Sequence, residues 1–269
     1  MGTRSGVWIT RTIRSGRVGE KIKYFLPDDP GRSAPGAAPT RDQRRRLEWA
    51  EKKAEGSSLR QLARILNANW PAGSGGVLLG LDYDDRRLRR VRDRAADPGD
   101  LDAVREAAEH ELRLALRRVK RRIGEIRYVA ITSDMDGDTG EAVRVHHHLI
   151  VDAGAVDAFR EAWGAASVHA DPLNDRQEDY TPVAAYLLRQ VRRIPDAKKY
   201  TPSRNLKRPA PRDRIAQGPA QLRVPSGDRL VESRTDRGGR VQYLRYIIGG
   251  APKRGDVERE GSADPPPWI

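Results

Sequence analysis

Two periodicities take turns along this chain, and each change marks an element. Residues 7–25 alternate apolar and polar side chains, the period of a half-buried strand, and read as a short ribbon. Proline, glycine and alanine dominate from Pro27 to Pro39, which predicts a linker. Helical spacing appears over Asp42–Ala54 and again over Ser57–Asn69, where Leu59, Leu62 and Leu66 share a face. Ser57 or Ser58 can cap that second helix. Trp70–Gly76 breaks it, and Val77–Tyr83 is an apolar run of strand length. Asp84–Asp97 reads as a very basic helix. Pro98-Gly99-Asp100 then opens a long one running to Arg122, with Leu101, Val104, Ala108, Leu112, Leu116 and Val119 as its stripe and Gly124 as its stop.

The second half is shorter-grained. Arg127–Ser133 predicts a strand, Asp134–Gly140 an acidic turn, and the apolar segment around His146 a second strand, together an antiparallel hairpin. Val156–Trp163 predicts a short helix and Ser167–Ala170 a strand. Thr181-Pro182 predicts the start of a helix reaching about Arg193, with Thr181 as cap and proline at its first position. Lys198–Arg229 reads as loop, Arg240–Ile248 as a last strand, and the proline-rich tail 249–269 as disordered. The sum is an α+β fold: a central antiparallel sheet with flanking helices and an N-terminal helical extension. The expected division is 1–75 for ribbon, linker and helices, 76–248 for the main domain, and 249–269 for the tail.

Charge narrows the partner. The chain has 269 residues, 51 Lys+Arg against 38 Asp+Glu, and a net charge of +13. Most of the excess is arginine, which suits bidentate contacts with phosphate, so nucleic acid is the expected partner. An acidic membrane surface is the competing one. No apolar run approaches the ~20 residues that span a bilayer, and the N-terminus lacks the apolar core of a secretory signal. A cytoplasmic protein is expected. The absence of cysteine excludes disulfides, thiolate zinc sites and thiol catalysis.

Against this background the run Val145-His146-His147-His148-Leu149 stands out, because three of the five histidines fall together inside one predicted strand. Side chains alternate along a strand, so His146 and His148 project from one face and His147 from the other. Paired imidazoles suit a divalent metal. A purely structural role for polar residues in a sheet is the alternative. On the helix after Pro182, Tyr186, Arg189 and Gln190 lie at i, i+3 and i+4 and share a face. A tyrosine beside a cation can attack a phosphodiester while a metal polarises the phosphate. Its alternative is a packing residue with the hydroxyl at the surface.

In order and spacing these pieces resemble the HUH endonucleases, in particular rolling-circle replication initiators of phages and integrative elements. The family's second motif is His, hydrophobic, His; here it is His146-His147-His148, with histidine in the middle place. Its third motif matches Val183-Ala184-Ala185-Tyr186-Leu187-Leu188-Arg189, with arginine replacing lysine. Val77–Tyr83, ending Leu81-Asp82-Tyr83-Asp84, looks like the first motif. Asn67-Ala68-Asn69-Trp70, Trp163-Gly164 and Tyr200–Leu206 resemble the bacterial replication-associated branch, and the resemblance covers roughly residues 5–248.

The resemblance implies that His146, His148 and an acidic or polar residue hold Mg²⁺ or Mn²⁺. It implies that Tyr186, assisted by Arg189, attacks single-stranded DNA at an origin and becomes joined to the 5′-phosphate. Asp134 is favoured as third ligand; Ser133, Asp136 and Asp138 are the alternatives. Tyr180 and Tyr200 are reserve nucleophiles, and Trp163 is a core residue or a base-stacking one. Arg192, Arg193, Lys198, Lys199 and Arg204 would track the strand. No Gly-x-x-x-x-Gly-Lys-Ser/Thr segment occurs, so a helicase and a polymerase would act in trans, in a bacterial host. A relaxase or single-tyrosine transposase using the same residues is one alternative, and a non-catalytic nucleic-acid-binding protein another.

Overall fold

Strand alternation and nonlocal hydrogen bonding build two antiparallel five-stranded sheets, seen in a computed structural model that describes residues 6–27, 56–192, 198–216, 218, 220–236, 239 and 241–249. The fold is α+β, with five helices among the described residues. The predicted helix over 42–54 and the tail from 250 lie outside the described residues.

The chain divides into two units, 1–68 with 208–269, and 69–207. This differs from the expected 76–248 domain. The reason is pairing that no local pattern encodes: the last strand joins the N-terminal ribbon, not the histidine sheet.

In the first unit, β1 (Gly6–Ser15) and β2 (Val18–Pro27) form the ribbon. With β8 (Arg212–Ala216), β9 (Arg229–Thr235) and β10 (Val241–Ile247) the order is β8-β1-β2-β10-β9. Strand β8 falls inside the predicted loop and β9 starts at its last residue, because their polar composition hides the alternation. Helix α1 (56–69) buries Leu62, Ala63, Ile65 and Leu66. Its Arg64 donates two 2.7 Å hydrogen bonds to the buried Glu20 carboxylate, which also accepts from the Tyr243 hydroxyl at 3.1 Å.

In the second unit the chain runs β3 (Gly76–Leu81), α2 (Asp85–Arg94), α3 (Leu101–Ile123), β4 (Tyr128–Met135), β5 (Ala142–Asp152), α4 (Val156–Trp163), β6 (Val168–Pro172), α5 (Thr181–Arg189) and β7 (Thr201–Pro202). The sheet order is β6-β3-β5-β4-β7, all antiparallel. Helix α3 is set by its ends: the Asp100 carboxylate accepts from the Asp102 N–H at 3.0 Å, and Gly124 closes it at φ 82°. Its stripe Val104, Ala108, Leu112, Ala115, Leu116 and Val119 packs with Leu79, Leu81, Val145, Leu149, Phe159 and Trp163. Leu101, assigned to that stripe from sequence, is exposed at the first turn. Trp163 is core, donating Nε1–H to the Asp82 carbonyl at 2.7 Å. Among the described residues no helix is long and apolar enough to cross a membrane.

Candidate active site

Register decides which way the histidines of β5 point. Ser133 opposes His146, Thr132 opposes His147 and Ile131 opposes His148, so His146 and His148 share the face turned away from the α3–α4 core. His147 faces that core and is fully buried. Its Nε2 shares a 2.8 Å hydrogen bond with the Tyr83 hydroxyl and its Nδ1 a 3.1 Å one with the Thr132 hydroxyl. Burial, then the neighbouring His146, Arg105, Arg87 and His148, press its pKa down to about 3. A neutral ring with both nitrogens bonded can occupy a core position that alternation would otherwise give to an apolar residue.

His146 and His148 meet edge to face, with Nε2 to Nε2 at 3.1 Å. His146 donates Nδ1–H to the Arg144 carbonyl at 3.0 Å, which leaves Nε2 its lone pair in the neutral ring. His148 has its pKa lowered by burial first and by His146 second, against a raising hydrogen bond from Gln190. Its Nδ1 is buried without a hydrogen-bond partner among the described residues.

The third member is Gln190, whose Oε1 lies 3.0 Å from His148 Nε2. Donor atoms ~3 Å apart have the separation of adjacent ligands around a cation held at about 2.1 Å. Two imidazoles and one carboxamide oxygen are donor types that a divalent cation takes, and His148 Nε2 lies at ligand spacing from each of the other two. Among the described residues no group of three or more His, Asp or Glu side chains is placed to hold one. Sequence reasoning put Gln190 on the face of Tyr186 without giving it this place; the i+4 spacing was the available signal.

Backbone bonds fix Gln190 there. A bulge in β4 between Ser133 and Met135 frees two amides, and both the Asp134 and Met135 N–H groups donate to the Gln190 carbonyl at 3.2 Å. Gly137 lets the acidic turn press close, since a Cβ there would lie 3.3 Å from Gln190 Cγ.

Asp134, favoured as third ligand, is placed differently. Its carboxylate accepts the Arg192 N–H at 3.1 Å and ion-pairs with Arg105 of α3 at 3.1 Å and with Arg192 at 3.3 Å. It anchors the chain just after α5, and the physical reason is local charge: two guanidiniums flank it. Ser133 is buried on the histidine face, its hydroxyl without a hydrogen-bond partner among the described residues. Asp136 caps its own turn, accepting from the Thr139 and Asp138 N–H groups, which hold its carboxyl below the usual range. Asp138 is exposed in that turn.

Tyr186 lies on α5 with 48% of its surface exposed, its ring centroid 6.2 Å from that of His148. Arg189, also exposed, follows one turn later. An open groove beside Tyr186 is lined by Leu78, Pro172, Leu173, Pro182 and Val183. Tyr180 is buried, with its pKa raised by that burial, and Tyr200 is half-buried. Helix α5 starts without a Thr181 cap; the Asp179 carboxylate instead accepts from the Thr181 N–H and hydroxyl. It ends at Arg189, short of the predicted Arg193, which lies outside the described residues. Arg192, predicted to track DNA, pairs with Asp102 and Asp134 instead. Lys198 and Arg204 are exposed and Lys199 half-buried. Asn69, from the predicted motif, brackets Lys207 through its carboxamide, a scaffold role. No known protein family, curated protein or solved structure matches this chain.

Proposed function

We propose that this protein nicks single-stranded DNA with Tyr186 as nucleophile, next to a divalent cation held by His146, His148 and Gln190, to initiate rolling-circle replication of a phage or mobile element. The observation that carries the reading is that His148 Nε2 lies 3.1 Å from His146 Nε2 and 3.0 Å from Gln190 Oε1, beside an exposed tyrosine whose ring is 6.2 Å from His148. The sequence resemblance, the basic charge, and the groove lined by Leu78 and Val183 support it. So does the connectivity β3, α2–α3, β4, β5, α4, β6 with order β6-β3-β5-β4, the split βαβ arrangement expected of a ferredoxin-like HUH core.

When bound, Mg²⁺ or Mn²⁺ would polarise a non-bridging phosphate oxygen. The Tyr186 oxygen attacks phosphorus, the phosphorus–Tyr186 bond forms and the phosphorus–O3′ bond breaks. The phenol proton passes to water and the O3′ atom takes one from water, leaving a 5′-phosphotyrosine and a 3′-hydroxyl. Arg189 faces the charge that develops on the phosphate. The lowered pKa of His148, set first by its burial, favours the neutral ring that a metal ligand needs.

Covalent capture tests this. The protein is mixed with labelled single-stranded DNA from its element's origin plus Mn²⁺ and run on a denaturing gel. A metal-dependent adduct that vanishes in Tyr186→Phe and in His146→Ala/His148→Ala is the expected result. An adduct surviving in Tyr186→Phe overturns the assignment of the nucleophile. DNA binding without any adduct favours a non-catalytic protein. Religation to a second strand would distinguish a relaxase or transposase from an initiator.

A further inference from the structure

The first unit sorts its charges by face. Its five strands contain three acidic residues, Glu20, Asp213 and Glu232. Register puts all three on one face, where Arg64 holds Glu20, Arg11 holds Asp213, and Arg234 and Arg245 hold Glu232. The opposite face carries Arg14, Lys21, Lys23, Arg212 and Arg214 and no carboxylate.

Aromatic rings interleave with these cations. Trp8 and Phe25 oppose each other with centroids 5.5 Å apart, and Lys23 Nζ lies 5.5 Å from the Trp8 ring. Tyr246 covers Gly19, where any Cβ would fall 2.4 Å from the ring, and Lys21 Nζ lies 5.8 Å from Tyr246. Segment 220–223 crosses the β2–β10 part of this face: the Ala220 and Arg223 carbonyls accept from Lys23 and Lys21, and the Leu222 N–H donates to Gln242. Among the described residues the β1–β8 part stays open. There Arg14, Arg212 and Arg214 are exposed beside the half-buried Thr10, Thr12 and Trp8. Arg212 and Arg214 stand two residues apart on one strand, so about 7 Å separates them.

We propose that this face binds single-stranded nucleic acid, as a surface separate from the Tyr186 site. The two arginines and Arg14 meet successive phosphates, and Trp8 offers a ring on which a base stacks. An edge strand whose Arg212 and Arg214 form no ion pair among the described residues suits a polyanion. The aromatic component selects unpaired bases over duplex.

The test is fluorescence anisotropy on the full chain with a labelled oligothymidylate of about 20 nucleotides, in EDTA so that no cleavage intervenes. Arg212→Glu/Arg214→Glu should weaken binding at least tenfold. The milder Arg212→Gln/Arg214→Gln should make the slope of log affinity against log salt shallower by about 1.4, and serves if the first variant fails to fold. Trp8→Ala should weaken binding about fivefold while leaving that slope unchanged, an effect that should disappear on an abasic strand. Charge-matched Arg89→Glu/Arg90→Glu on α2 is the comparison. Equal losses in both pairs, or equally tight binding of duplex, or displacement by polyglutamate as readily as by DNA, would overturn the proposal. Adduct formation at saturating DNA should persist in the arginine variants, so failure here leaves the nicking reading standing.

Discussion

The carboxamide oxygen of Gln190 lies 3.0 Å from Nε2 of His148, joining the end of α5 to the histidine strand. Helix and strand are thereby locked in a relation that also brings Tyr186, one turn earlier, over His148. If Gln190 is a ligand, Gln190→Ala should lower the apparent Mn²⁺ affinity of adduct formation by tenfold or more, and Gln190→Glu should restore it. Two imidazole donors also favour Mn²⁺ over Mg²⁺, which prefers an all-oxygen shell. A metal titration of adduct yield for each variant checks both; unchanged titrations would remove Gln190 from the site.

Asp134 should behave in the opposite way. It pairs with Arg105 and Arg192 in a mostly buried setting, so Asp134→Ala leaves Arg105 only its ion pair with Glu109 and should cost about 2 kcal/mol of stability. Denaturant unfolding measures this. Metal dependence of whatever folded protein remains should be near that of the unaltered chain.

Tyr186→Phe should abolish the adduct while shifting stability by less than about 0.5 kcal/mol, because the side chain is half exposed. Thermal melting alongside the gel separates chemistry from folding. A large loss of stability would mean that Tyr186 is a packing residue.

His147 should make the second unit acid-sensitive. Its folded pKa is about 3, below the ~6.5 of an unfolded histidine. Above ~6.5 both states are neutral and the fold keeps its full stability. As pH falls from ~6.5 toward 3, the unfolded chain takes up a proton that the folded chain refuses. Stability then falls by up to about 1.4 kcal/mol per pH unit. Unfolding curves at several pH values check this. His147→Gln, which removes the titrating ring but can still bond Tyr83 and Thr132, should flatten the dependence at some loss of stability.

Gly16 turns the β1–β2 ribbon at φ 59°, and a Cβ there would lie 2.3 Å from the Asn67 carbonyl oxygen. Gly16→Ala should therefore cost more than the ~1 kcal/mol of the left-handed conformation alone. A chemical denaturation midpoint reads it directly, and a neutral result would mean that α1 yields easily.

Much of the second unit was legible in sequence because its signals are local. Helix α3 declares itself through a stripe, a capping aspartate and a terminal glycine. The hairpin β4–β5 and the opposed faces of His146 and His147 follow from the two-residue period of a strand. The site was legible in part. The spacing from Tyr186 to Gln190 was visible, but not that the amide would land on His148, since that depends on a bulge at Ser133–Met135 and two backbone bonds to Gln190.

By itself the sequence determined the α+β class, most element positions in the second unit, the pairing of His146 with His148 on one face, and the exclusion of thiol chemistry. Each follows from side-chain periodicity or from composition, which act over a few residues or over the whole chain. Only the tertiary structure decided that β10 and β8 complete the ribbon's sheet, that Asp134 serves Arg105, and that Gln190 meets the histidines. Those choices depend on which distant backbone amides and charges come together, and one-dimensional patterns carry almost no record of such partners.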